Sequence, residues 1–387
     1  MKTTGVNLSE YKFDGAEAGA VDDLNNLGED DKHQLLMAGV DVTERNRSGS
    51  FLHMDHSNVH CKTTGEGVEI LDIKDALAKY HGLPDYFWKL VDKDKDEFTR
   101  AAHDKLHGGY FIRTEPGAKI EDPVQSCLFI KGEKVGQNVH NIVVAEEDSE
   151  LHIITGCAVS RETQGGAHLG ISEFYVKKNA KLTFTMIHNW GENVDVRPRS
   201  SGVVEEGGVF VSNYVLMKPV KNLQMYPSLS LNGPGAVARF NSVMVAPKGS
   251  YIDSGNRIIL NASDTRGEII SRTITTGGTI IARGHIAAHH VPAKGHLECK
   301  GLILGKGVIH AIPELEGTIE GVELSHEAAV GRIAQEEIEY LMARGLDEEE
   351  ATSTIVRGFL NVDIMGLPDE LAQVIEKTIE ESEKDMF

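Results

Sequence analysis

Three side chains carry the chemistry that stands out in this sequence: Cys299 in HLECKGLILG, and the consecutive His326 and Glu327 in GVELSHEAAVGRIAQEE. A thiol, an imidazole and a carboxylate are the donors that hold iron or zinc. A second concentration lies in FLHMDHSNVHC, where His53, His56, His60 and Cys61 flank Asp55. Its spacing matches none of the zinc patterns of known geometry, and a polar turn between two strands is the competing reading. Cys127 in VQSCLFI and Cys157 in HIITGCAV are further thiols, set among apolar neighbours that suit ordinary core positions equally well. The histidines in RGHIAAHH, at 285, 289 and 290, read as a polar loop.

The elements that must position these groups change character along the chain. Residues 1–107 read as a mixed, mostly helical region. Short helices are expected over Asp30 to Met37, stopped by Gly39, over Ile73 to Tyr80, and within Asp85 to Leu106, with FLHMDHSNVH and GVEILDI extended between them. Residues 108–324 are rich in Val, Ile, Thr, Phe and Leu, broken by Gly, Asn, Asp and Lys turns, and read as all-β. One cue recurs there: a glycine or polar turn, then a small residue, then an apolar run. It occurs at Gly117, Asp148, Asn179, Gly207, Gly235, Arg266, Lys294 and Glu320, at intervals of about 26 to 32 residues. That period fits a coiled solenoid such as a parallel β-helix, whereas a sandwich turns every 8 to 12 residues or so. Half-period turns such as KGSY at Lys248 weaken the contrast. Residues 325–387 read as helical: Arg332 to Arg344, a second helix capped by Asp347, and a third in LPDELAQVIEKTIEESEK. This tail is too small for its own core, so its apolar residues, including Ile338, Tyr340, Leu341, Ile355 and Phe359, are expected to pack on the β body or on a partner.

Coiling would put residues one repeat apart on neighbouring strands, about 4.8 Å apart. Cys299 then lies one strand from His326 and Glu327, and Cys127 and Cys157 are expected to stack. Cys157 and Cys299 fall about five coils, roughly 24 Å, apart, so one chain cannot gather these thiols around one cluster. If their segment is extended, the consecutive His326 and Glu327 point to opposite faces, an arrangement suited to a site shared across a symmetric dimer.

Composition narrows the remaining possibilities. The chain has 387 residues, a net charge of -20 and four scattered cysteines. No signal-peptide core, membrane span or disulfide framework is visible, so a cytoplasmic protein is expected. The acidic balance disfavours nucleic acid as a partner. There is no GxxxxGK[ST] loop, GxSxG elbow or HExxH helix.

From Gly109 onward the sequence resembles the SufB/SufD family of iron-sulfur cluster assembly proteins, particularly its short SufB-like archaeal members. The likeness rests on GYFIRTEPGAKIEDPVQSCL, ELHIITGCAV, HLGISEFYV, MIHNW, YPSLSLNGPGA, the DSG around Asp253, HLECKGLILG, SHEAAVGRIAQEEIEYLMARGL and IVRGF. The resemblance implies a mainly β fold with a right-handed parallel β-helix core and helical ends. It implies pairing of two such chains through the β-helix, as a homodimer or with a second SufB/SufD-like chain. It also implies binding of a SufC-like ABC-type ATPase through the C-terminal helices, and delivery of a transient iron-sulfur cluster to recipient apo-proteins. The family's cysteine and glutamate match Cys299 and Glu327, and the histidine of its SufD motif matches His326. The N-terminal region is shorter than in bacterial SufB, and participation of flavin is not readable from the residues. Two rival readings are a SufD-like stabilising subunit without its own cluster, and a polysaccharide-acting β-helix enzyme.

Overall fold

The computed structural model describes residues 5–15 and 17–360. In chain order its strands are β1 (Gly49–Met54), β2 (Ser57–Thr63), β3 (Val68–Asp72), β4 (Tyr110–Thr114), β5 (Val124–Ile130), β6 (Val135–Ala145), β7 (Glu150–Val159), β8 (Gly166–Val176), β9 (Lys181–Asn189), β10 (Val194–Val196), β11 (Arg199–Val204), β12 (Val209–Leu216), β13 (Asn222–Met225), β14 (Ser228–Leu231), β15 (Val237–Ala246), β16 (Tyr251–Leu260), β17 (Thr265–Thr275), β18 (Thr279–Ala288), β19 (Ala293–Ile303), β20 (Val308–Gly317) and β21 (Glu323–Gly331). The helices are α1 (Glu29–Met37), α2 (Ile73–Lys79), α3 (Glu97–Asp104), α4 (Gln335–Met342) and α5 (Glu348–Leu360).

The strands wind into a parallel β-solenoid of about 8 turns, as the repeat period implies. One ten-stranded sheet runs β2-β1-β5-β7-β9-β12-β15-β17-β19-β21, parallel throughout except for the terminal β1–β2 hairpin. The facing sheet begins with the antiparallel pair β3–β4 and continues through β6, β8, β16, β18 and β20. Between β8 and β16 each turn is split, into β10 and β11 and into β13 and β14. The splits fall at Arg197–Pro198 and Tyr226–Pro227, where proline lacks the N–H that would continue the ladder.

The recurring sequence cue is a corner of the coil. Gly117, Asp148, Asn179, Gly207, Gly235 and Asp264 all adopt positive φ there, between 54 and 75°. Each donates its N–H to a carbonyl of the next corner: Gly117 to Glu147, Asp148 to Lys178, Asn179 to Glu206, Gly207 to Pro234, Gly235 to Ser263 and Asp264 to Pro292, at 2.6–2.9 Å. Only Gly, Asn and Asp take that conformation readily, hence the periodic signal. At Gly207 space is also short, since a Cβ there would sit 2.4 Å from Asn179 Oδ1. The half-period turn before Tyr251 is the opposite corner, because each coil contributes a strand to both sheets.

The core fills the space between the sheets, from Phe51 and Tyr110 through Phe174, Phe184, Phe210 and Phe240 to Leu297 and Cys299. Parts of the outer face of the ten-stranded sheet are apolar as well, where other segments of the chain cover them. Residues 18–42 cover Leu52, Cys127 and Phe129 at one end. At the other, Val356, Phe359 and Leu360 of α5 cover Ile187, Val215, Val243, Ile274 and Leu302. On the opposite sheet, Glu173 is wholly buried and its carboxylate accepts N–H bonds from Trp88 (2.7 Å), Leu90 (2.5 Å) and Val91 (3.0 Å) and pairs with His140 Nε2 (2.8 Å).

Several expectations need correction. In the N-terminal region α1 and α2 form where expected and the extended pieces are β1 to β3, but these strands extend the two sheets rather than belonging to a separate helical unit, and only α3 forms between residues 86 and 106. The helical tail does not begin after Ser325. β21 runs on to Gly331 because it pairs with β19 along its length. The second tail helix is capped as expected, with the N–H of Glu350 donating to Asp347 Oδ1. The third expected helix lies outside the described residues.

Candidate functional site

β19 and β21 pair in parallel, with Leu297 opposite His326, Glu298 opposite Glu327 and Cys299 opposite Ala328. Side chains alternate across a strand, so register assigns faces. Leu297 and Cys299 are buried in the core between the sheets, and Leu324 packs against it, so His326 shares that inner face. Glu327 belongs to the outer face. The neighbouring strands are as expected; the thiol and the carboxylate are on opposite sides of the sheet. Among the described residues, no group of three or more His, Cys, Asp and Glu side chains converges to hold a metal ion.

Cys299 sits in an inner column whose members are register partners: Ser126, Thr155, Met186, Tyr214, Ser242, Ser271, Cys299 and Ala328. It is 2% exposed, and burial raises its pKa to about 11, reinforced by Glu298 and opposed by Arg272. In the isolated chain this thiol is protonated at neutral pH. His326 and Glu327, by contrast, are exposed, because β21 is the last strand of its sheet. β20 is likewise the last strand of the other sheet, so among the described residues the C-terminal end of the solenoid presents two unpaired edges. Val308, Ile319 and Val330 are exposed around it.

The outer face beside Cys299 carries a charged quartet that sequence reading missed. Arg272 pairs with Glu298, and the Lys300 ammonium lies 3.3 Å from Glu298 Oε2 and 3.2 Å from Glu327 Oε1. These residues are one coil or two positions apart, a spacing that names them only once the register is known.

The remaining candidates are dispersed. Cys127 and Cys157 do not stack: Cys127 is opposite Gly156 and Cys157 opposite Leu128, and this one-residue offset sends Cys127 to the outer core and Cys157 to the inner one. Burial raises both thiols well above their ordinary range. Five strand steps separate Cys157 from Cys299, as expected. FLHMDHSNVHC is the β1–β2 hairpin, the polar-turn alternative. His60 contacts Val21 O (2.7 Å) and Glu44 Oε1 (3.0 Å), His56 contacts Gly136 O (3.1 Å), and the Cys61 thiol donates to Ile70 O (3.5 Å). His53 is fully buried, and desolvation lowers its pKa to about 3. His56, His60 and Cys61 therefore face different partners, and the four do not converge on one point. At the C-terminus, Ile338 and Leu341 are half-buried and Tyr340 is 58% exposed on α4, whereas on α5 Ile355 is half-buried and Phe359 packs against the solenoid. No described helix is long and apolar enough to cross a membrane.

Comparison with known proteins agrees with this architecture. The sequence profile of the SUF system FeS cluster assembly, SufBD core domain, matches residues 128–359. An iron-sulfur cluster assembly SufBD family protein of Archaeoglobus fulgidus is 54% identical over 92% of this chain and 96% of its own length. One from Methanothermobacter thermautotrophicus strain Delta H is 45% identical over 99% of this chain and 95% of its own. The iron-sulfur cluster assembly protein SufB of Bacillus subtilis is 28% identical over 96% of this chain and 79% of its own. With the core profile matched over most of the solenoid and a relative this similar along nearly the whole chain, the protein belongs to the SufBD family of iron-sulfur cluster assembly proteins.

Proposed function

We propose that the chain is a non-catalytic scaffold on which an iron-sulfur cluster is built as cargo, at the end of the solenoid, between two copies of the chain. The observation that carries this reading is the open C-terminal end: two unpaired edge strands, with Cys299 one strand inside and His326 and Glu327 on the edge itself. Unpaired edges invite strand addition, and a two-fold pairing places both copies of each ligand at one seam. One chain alone does not converge the three groups, which favours a shared site. A second SufB/SufD-like chain would serve in place of a second copy.

Cys299 supplies a thiolate for sulfide or iron, and Glu327, with His326 from the partner copy, completes a mixed ligand set. Permanent clusters usually rest on four thiolates, so a mixed set suits release to recipient apo-proteins in the cytoplasm. Because Cys299 is buried and protonated, the seam must open before the thiol can act. An ABC-type ATPase of the SufC kind, engaging Tyr340, Ile338 and Leu341 on α4 and the neighbouring Ile355 and Phe359, would supply that movement as a two-state shift.

Anaerobic reconstitution of the chain and its ATPase with iron and sulfide tests the proposal. Cluster absorbance is expected in the wild type and is lost in Cys299→Ala and Glu327→Ala. Equal cluster yield in both variants would overturn it. The buried, protonated state of Cys299 favours a second reading, a SufD-like stabilising subunit that builds no cluster. That reading predicts no cluster in any of the three proteins alone and unchanged complementation by both variants.

A further inference from the structure

Glu298 and Glu327 stand directly opposite one another on neighbouring strands, where like charges repel. The Lys300 ammonium lies between them, 3.3 Å from one carboxylate and 3.2 Å from the other. Arg272 holds Glu298 from the adjacent coil, so Glu298 keeps a cation even if Lys300 departs. Among the described residues, Glu327 has no such second cationic partner.

We propose that Lys300 is a positioning residue that occupies Glu327 in the empty chain and sets how readily that carboxylate accepts iron. The inference rests on the reading of Glu327 as a ligand. A ferrous ion and an ammonium compete for the same oxygen, so iron binding at Glu327 requires Lys300 to swing away. The Lys300 and Glu327 side chains are 32% and 56% exposed, so their pairing is weak and readily exchanged. Lys300 thereby keeps the carboxylate neutralised and oriented until iron arrives, and its long stem allows it to remain with Glu298 afterwards.

The test is anaerobic titration of ferrous iron, without sulfide, into the full chain at low ionic strength. The proteins are wild type, Lys300→Met, Lys300→Gln, Glu327→Gln and the double variant Lys300→Met/Glu327→Gln, each checked for native thermal unfolding. Both Lys300 variants are expected to bind iron roughly three- to fivefold more tightly than wild type, the range open to an exposed ion pair. Added salt should shrink the difference by screening, and the double variant should bind as Glu327→Gln does. Equal or weaker binding by both folded Lys300 variants overturns the inference, as does tightening that persists in the double variant. If Glu327→Gln alone binds iron like wild type, the ligand role of Glu327 fails first and Lys300 has nothing to regulate.

Discussion

The requirement that the seam open can be measured directly at Cys299. Burial lifts its pKa from an ordinary 9.0 to about 11. At pH 8 that leaves about 100-fold less thiolate than an unperturbed cysteine carries, and only the thiolate is alkylated. With 2% of the residue exposed, steric exclusion slows the reaction further. Iodoacetamide should therefore modify Cys299 in the native chain at least about 100-fold more slowly than in concentrated urea, read by mass spectrometry of the Cys299 peptide. The native rate should climb about tenfold per pH unit, without a plateau below about pH 10. Adding the ATPase with nucleotide should raise the rate if that partner opens the seam. A native rate within about threefold of the urea rate at pH 8 would refute the reasoning, since the thiol would then be ionised and accessible without any rearrangement.

Three further outcomes follow from the solenoid itself. Burial holds His53 and His168 near a pKa of about 3 and His107 and His152 near about 4. The unfolded chain takes up protons near 6.5 while the folded one refuses them, so stability falls as pH drops from 6.5 toward 4. A urea midpoint at pH 5 equal to that at pH 7 would contradict this. Glu173→Ala strands three backbone N–H groups and His140, which should cost about 3–5 kcal/mol and lower the melting temperature by about 4–6 °C; a shift under about 1 °C would show that the loop does not depend on this carboxylate. Gly207→Ala should destabilise more than Gly117→Ala in denaturant melts, because both have positive φ but only Gly207 lacks room for a Cβ. Equal losses would mean that conformation, not crowding, decides the corner.

The coil was legible because its corners demand left-handed residues, and those positions are restricted to few residue types. Helix ends were legible for similar reasons at Gly39 and Asp347, where a positive φ and a side-chain cap leave a mark. β21 was read as helix because ELSHEAAVG is rich in Ala and Glu; pairing with β19 overrides that local preference. The first three strands were legible as the extended pieces FLHMDHSNVH and GVEILDI, but their membership of the two sheets was not. Separations counted in whole coils came out right, since they need only the period. The opposite faces of the consecutive His326 and Glu327 also came out right, but faces compared between strands did not, because one residue of register decides which side a group occupies, as Cys127 and Cys157 illustrate. The Arg272, Glu298, Lys300 and Glu327 network depends on that register at every step.

The two ends of the solenoid differ in a way that bears on assembly. At the first coil the chain reverses into antiparallel pairs, and the Val59 carbonyl is already taken by the N–H of Val21. Among the described residues, the last coil ends instead in two parallel strands, β20 and β21, with no strand beyond them. If two copies of the chain meet at that tip, as proposed, the differing first coil would disfavour further end-to-end growth, so that a closed pair rather than a fibre results.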